Sequence, residues 1–212
     1  MFPILERYRV LPVITIDDTE AALPLADALL DGGLPIAEVT FRTPAAATVI
    51  RILTEKRPEL LVGAGTVLTA QNVADAIASG AKFGVAPGCN PGTLDIANDN
   101  HWPFIPGVCT ASEIEAALQA NCRILKFFPA GIMGGVEMLK ALSGPYAHTG
   151  IRFMPTGGVT ESNLAEYLSV PTVFACGGTW IATQSDIAVG NWSIIRDRCR
   201  RVVDIINTEP NA

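Results

Sequence analysis

The chain has 212 residues, 49% of them apolar and only 17% charged, so it can bury a large core, read as one domain over 1–212. A formal net charge of −6 with no long Lys/Arg run excludes nucleic acid and acidic membrane surfaces as partners, so an anionic substrate must be held by a local site. Five cysteines without C-x-x-C spacing, no signal-peptide pattern and no apolar run of membrane length point to reduced thiols in a cytoplasmic protein. Two isolated histidines, His101 and His148, give no His-based metal site.

In chain order, the pattern predicts a strand over 10–16 and a helix over 19–30, stopped by Gly32-Gly33. A strand over 36–42 leads to a helix over 44–56 with Pro44 at its start. A strand over 61–67 precedes a helix over 70–79, closed by Gly80. Strands over 83–87 and 104–108 are followed by helices over 92–98 and 112–120, the second with a capping box from Thr110 to Glu113. Strands over 124–128, 152–156 and 172–176 follow, with helices over 136–143 and 161–169, a turn around Trp180 and a long helix over 192–206. Eight alternating β-α pairs without a linker imply a parallel sheet closed into a (β/α)8 TIM barrel. An open doubly wound sheet is the alternative, but no G-x-G-x-x-G follows the first strand.

Polar residues at strand ends mark the candidate site, since barrel chemistry gathers there. Lys126 interrupts the apolar run Ile124-Leu125-Lys126-Phe127-Phe128-Pro129. A buried ammonium loses its hydration, so it either pairs with a buried carboxylate or gives up its proton and becomes a nucleophile toward carbonyl carbon. Period two puts Glu38, Thr40 and Arg42 on one face of the second strand, pointing into the barrel. They form either an internal ion pair or a proton carrier beside a carboxylate fork. Thr66 either donates to a ligand carboxylate or caps the next helix. Thr156-Gly157-Gly158 and Gly177-Gly178-Thr179 put glycine pairs after the last two strands, where such barrels commonly hold phosphate.

Together with Val62-Gly63-Ala64-Gly65-Thr66, Ala86-Pro87-Gly88, Ile105-Pro106-Gly107, Lys126-Phe127-Phe128-Pro129-Ala130 and Gly177-Gly178-Thr179-Trp180, these motifs resemble the class I 2-keto-3-deoxy-6-phosphogluconate (KDPG) aldolase family, whose members often also cleave 4-hydroxy-2-oxoglutarate (KHG). The resemblance implies that Lys126 is the Schiff-base lysine and Glu38 the general acid/base. It implies that Arg42 and Thr66 hold the pyruvyl carboxylate, that Pro87 and Phe128 wall the pyruvyl unit, and that Thr156 faces the sugar hydroxyls. Gly157, Gly158, Gly177, Gly178 and Thr179 would cradle phosphate. The implied reaction uses no metal or other cofactor, and the implied assembly is a homotrimer. The chain departs from the family's usual pattern at Thr179, where serine is usual, at Gly131-Ile132-Met133, and in a short arm before the first strand that leaves less chain to plug the barrel bottom. Alternatives are an aldolase for the phosphogalactonate epimer, a phosphosugar isomerase or epimerase without a covalent lysine, and a silent phosphosugar-binding module.

Overall fold

A computed structural model describes residues 2–208. Its elements run α1 (Phe2–Tyr8), β1 (Val10–Ile14), α2 (Ala22–Asp31), β2 (Ile36–Thr40), α3 (Ala46–Lys56), β3 (Leu61–Gly65), α4 (Ala70–Ala78), β4 (Gly84–Val85), α5 (Pro91–Asp99), β5 (Phe104–Ile105) and β6 (Gly107–Val108). They continue α6 (Ala111–Gln119), β7 (Ile124–Phe127), α7 (Gly135–Tyr146), β8 (Arg152–Pro155), α8 (Leu164–Leu168), β9 (Cys176–Gly178), α9 (Gln184–Ala188) and α10 (Trp192–Thr208).

All strand pairs are parallel, in the orders β5-β4-β3-β2-β1-β9 and β6-β7-β8. Two bridges, Phe153 to Val173 and Thr156 to Gly177, join β8 to the last strand and close the ring. The fold is therefore the expected TIM barrel. Pro106 has no N–H to give the ladder, so the fifth barrel strand divides into β5 and β6. β1 and β2 are buried at every position, because helices cover the outside and side chains fill the inside.

Local chemistry sets the element ends. Gly33 and Gly80 take left-handed φ values of 79° and 88° just beyond α2 and α4. The Thr110–Glu113 capping box starts α6, as its spacing predicts. Asn90 caps α5, with Pro91 at its first position. Pro44 falls outside α3, which begins at Ala46, because the preceding turn runs two residues further than the pattern suggests.

Several parts depart from the expected elements, among them the strand expected over 83–87, regular only at Gly84–Val85, and α9, which no expected element covers. The arm before the first strand folds as α1 and buries Leu5, so it does contribute to the core despite its brevity. The eighth strand is regular only over Cys176–Gly178, where it pairs with Val10–Pro12, so Gly177 and Gly178 lie in β9 and not in a turn after it. The helix expected over 161–169 is only Leu164–Leu168, because Thr160 N–H bonds Asn163 Oδ1 and the Asn163 amide bonds Gly158 O, holding 160–163 as a turn.

The C-terminal helix packs its buried stripe, Ile195, Cys199, Val202 and Ile206, at helical spacing. Gly32 makes the contact with α2 possible, since a Cβ there would stand 2.9 Å from Arg196 O. The α9–α10 corner is pinned by Asp186, which accepts from Arg198 Nη1 and Thr183 Oγ1, both at 2.5 Å, and from Asn191 Nδ2 at 3.1 Å. These bonds, Thr183's first, hold its carboxyl down at about 2 from an ordinary 3.8. A depressed carboxyl stabilises the fold above its unfolded value and loses that contribution as pH falls through its folded value. The stability advantage of wild type over Asp186→Asn is therefore expected to be constant above about pH 4 and to shrink toward about pH 2. Thermal unfolding of both proteins across that range measures it.

Candidate active site

Lys126 sits in β7 between Gly107 of β6 and Met154 of β8. Its backbone N–H bonds Pro106 O at 2.8 Å, so the strand position is fixed on both sides. Glu38 sits in β2, paired with Val13 and Gly63. In the closed ring β2 and β7 are opposite, so the two side chains meet across the lumen. Lys126 Nζ lies 3.7 Å from Glu38 Oε1, with side chains 5% and 0% exposed. Among the described residues, both Glu38 oxygens are buried with no hydrogen-bond partner, and Nζ is the only charge offered to them at this range. A buried ion pair with unsatisfied oxygens is poor stabilising design, since desolvation offsets the attraction. It suits chemistry, where a dry amine and a dry carboxylate are useful.

Phe128 follows β7, and Nζ lies 5.2 Å from its ring centroid. The aromatic wall expected beside the amine is thus present. It stands just past the strand, where the chain turns through a cis Phe128-Pro129 bond.

Arg42 is a correction. The second strand ends at Thr40, and Arg42 is exposed on the following turn. Phe41 N–H makes the last bond to β3, on Gly65 O, and Thr43 Oγ1 donates to Ile16 O, so the chain bends away before period two reaches residue 42. Glu38 pairs with Lys126, not with Arg42. Residue 42 therefore lies beyond the strand that carries Glu38 and Thr40, on the loop after it.

Thr66 does not cap α4. Thr69 does so, accepting from Asn72 N–H at 3.1 Å. Thr66 instead holds a left-handed φ of 55°, which a β-branched residue adopts only under constraint. It is half-buried where β3 opens onto the loop. Such strain gathers at functional sites, and here it leaves the Thr66 hydroxyl free of the helix end.

Pro87 is half-buried after β4, with its peptide against Gly107, where a Cβ would come within 2.6 Å of Gly88 N. Thr156 is 2% exposed and its backbone N–H bonds Phe127 O, which places it beside the lysine strand. Gly157 and Gly158 have φ of 83° and 85°, a left-handed backbone that glycine adopts without strain. Gly131 packs on Gly158, its N–H on Gly157 O at 2.8 Å, so this departure from the usual pattern serves close backbone approach. Gly177 and Gly178 are buried in β9, while Thr179 is exposed immediately after it. Lys126, Glu38 and Phe128 thus come together, Thr156 lies on the next strand beside them, and Thr66, Pro87 and the glycines lie at the C-terminal ends of their strands.

The residues that sequence reading passed over are glycines on inward positions. Gly63 faces the Phe83 ring, and Gly65 faces the Glu38 carboxylate. The alternation Gly63-Ala64-Gly65, small on one face of a strand, is the signal that marks them. Among the described residues, no group of three or more His, Cys, Asp or Glu side chains is placed to hold a metal ion.

Residues 2–198 match the family model described as KDPG and KHG aldolase. The chain belongs to that family. A 2-dehydro-3-deoxy-phosphogluconate aldolase of Haemophilus influenzae is 46% identical over 202 residues, covering 95% of this chain and 94% of its own. The KHG/KDPG aldolase of Escherichia coli K12 is 38% identical, over 92% of this chain and 91% of its own. Among solved structures, the KDPG aldolase of Legionella pneumophila, with pyruvate captured at low pH as a covalent carbinolamine intermediate, superposes with a TM-score of 0.91 at 41% identity, over 95% and 97% of the two chains. The Zymomonas mobilis ZM4 aldolase with 3-phosphoglycerate gives 0.86 at 34% identity, over 94% and 93%. For this KDPG/KHG aldolase family member, the dry amine across from a dry carboxylate lies in a barrel of the expected kind.

Proposed function

We propose that this chain cleaves 2-keto-3-deoxy-6-phosphogluconate to pyruvate and glyceraldehyde 3-phosphate, and 4-hydroxy-2-oxoglutarate to pyruvate and glyoxylate, through a Schiff base on Lys126. It is a class I pyruvate aldolase, a carbon–carbon lyase. The observation that carries the reading is the Lys126 amine, shut from water and 3.7 Å from a Glu38 carboxylate that has no other partner among the described residues.

The Lys126 amine attacks the C2 ketone, and loss of water leaves a protonated imine that accepts electrons far better than the ketone. Glu38 takes the C4 hydroxyl proton, the C3–C4 bond breaks, and the aldehyde leaves. Glu38 returns a proton to C3 of the remaining enamine, and hydrolysis of the imine releases pyruvate. One carboxylate suffices because each proton taken is given back. Arg42 and Thr66, on the loops after β2 and β3, hold the carboxylate of the pyruvyl unit, with Pro87 and Phe128 as its walls. Thr156 meets the hydroxyls of the tail. Gly157, Gly158, Gly177, Gly178 and Thr179 take the phosphate, for which the positive φ of the first two and the exposed Thr179 hydroxyl are suitable. No described helix is long and apolar enough to cross a membrane. A cytoplasmic homotrimer completes the reading, supported by five unbridged cysteines and by exposed Leu68 after β3, an apolar surface that subunit contact would cover.

Borohydride reduction in the presence of pyruvate tests the function. A stable adduct on the peptide containing Lys126, formed equally with and without EDTA, is the expected result. No adduct is the isomerase or epimerase outcome. An adduct on another side chain, or activity silenced by EDTA, overturns the mechanism.

A further inference from the structure

Glu38 can stand opposite Lys126 only because a neighbouring strand has been emptied. In β3 the inward positions are Leu61 at its start and then Gly63 and Gly65 beside Glu38 and Thr40, while Val62 and Ala64 face the helices. A Cβ on Gly63 would enter the Phe83 ring, 2.6 Å from Cε1. A Cβ on Gly65 would enter the Glu38 carboxylate, 2.7 Å from Cγ and 2.8 Å from Cδ, and closer still to Oε1. Real Cβ contacts are never so short, so a side chain at 65 and the present position of Glu38 exclude one another. The atom displaced would be Oε1, the one that faces Lys126 Nζ.

The backbone does not require glycine here. Gly65 is absent from the positive-φ residues, its N–H and C=O lie in a regular parallel ladder, and its C=O accepts from Phe41 N–H. Neither turn nor strain explains the residue. The space does.

We infer that Gly65 is a positioning residue for the aldol reaction: its missing side chain is the volume in which the Glu38 carboxylate stands. The inference rests on the reading of Glu38 as the proton carrier. Carboxylate and amine come from opposite strands, and among the described residues Glu38 meets Lys126 Nζ at 3.7 Å while no protein group hydrogen-bonds either of its oxygens, so the space beside Gly65 sets where the carboxylate stands. Orientation by an absent side chain leaves those oxygens free to take and return protons, where a hydrogen-bond donor would occupy them. Alanine at 65 meets the far end of a flexible side chain, so Glu38 swings aside and the barrel keeps its strands.

The test uses exchange of the C3 hydrogens of pyruvate in D2O, a readout of proton transfer that needs no aldehyde half, together with thermal unfolding. Gly65→Ala is expected to fold and to exchange about a hundredfold more slowly, the loss expected for an absent general base. Glu38→Gln should lose as much, and Gly65→Ala/Glu38→Gln no more than Glu38→Gln alone. Multiplied losses in the double variant would mean that Gly65 acts apart from Glu38 and would sink the inference. So would wild-type exchange in Gly65→Ala while Glu38→Gln is slow; the proton-carrier reading would then survive alone. Wild-type exchange in Glu38→Gln overturns both. If Gly65→Ala does not fold, Gly65→Ala/Glu38→Ala should, because the clash is gone; its failure would assign Gly65 to the backbone and end the proposal.

Discussion

Lys126→Ala and Lys126→Arg should both lose aldol cleavage, turnover falling by about 10⁶-fold or more toward the uncatalysed rate. The reason is chemical. The reaction needs an uncharged nitrogen that can join the C2 carbon and then draw electrons from the C3–C4 bond. Alanine has no nitrogen, and guanidinium stays protonated and does not add to a ketone. The two variants differ in stability, which makes the pair informative. Glu38 is fully buried, and among the described residues Nζ is the one positive group within 4.0 Å of it. Removing one partner of such a pair costs about 3–5 kcal/mol, so Lys126→Ala should unfold at a lower temperature. Lys126→Arg keeps a positive charge facing Glu38 and gives up less on that account, although its bulk strains the lumen. Equal loss of activity with unequal loss of stability is the signature of a nucleophile. Residual cleavage in Lys126→Arg above that of Lys126→Ala would show that charge, not covalent addition, is what the site supplies.

The barrel was legible because its signals are local. Apolar runs, helix stops at Gly33 and Gly80, and the Thr110 capping box each act within a few residues, and the strand–helix alternation they punctuate recurs eight times. Lys126 and Glu38 were legible for a related reason: a charged residue inside an apolar strand has few explanations. Three features were hidden because they depend on what lies across space. Arg42 follows the period of β2 on paper, but Thr43 bonds the Ile16 carbonyl of the neighbouring loop and bends the chain. Gly177 and Gly178 read as a turn, yet β1 supplies a ladder that makes them strand, and a Cβ on Gly177 would stand 2.8 Å from Thr156 Cγ2. Thr66 resembles a cap three residues too early, and only the backbone angle reveals its strain. The family resemblance supplied roles for these residues, while the geometry alone would have ranked Lys126, Glu38 and Thr156 above the rest.

Glu38→Gln should slow the proton-transfer steps by about a hundredfold or more, a barrier increase of at least about 2.7 kcal/mol at about 1.36 kcal/mol per tenfold. Glutamine matches glutamate in shape, so it fits the space beside Gly65 and leaves the lumen packed. It differs in that its amide neither takes the C4 hydroxyl proton nor returns one to C3. The losses should therefore be uneven along the reaction. Lys126 keeps its nitrogen, so borohydride still captures pyruvate on it. Exchange of the C3 hydrogens and cleavage of the C3–C4 bond both need the missing carboxylate and should fall together. Parallel measurement of trapping, exchange and cleavage separates this from a disordered site, in which all three would drop. Wild-type turnover in Glu38→Gln would reduce Glu38 to an electrostatic partner of Lys126, and the carrier would have to be water or the substrate's own phosphate. The packing argues against that outcome: a carboxylate kept at 0% exposure, 3.7 Å from one amine and without a protein hydrogen bond among the described residues, is costly for a partner that serves structure alone.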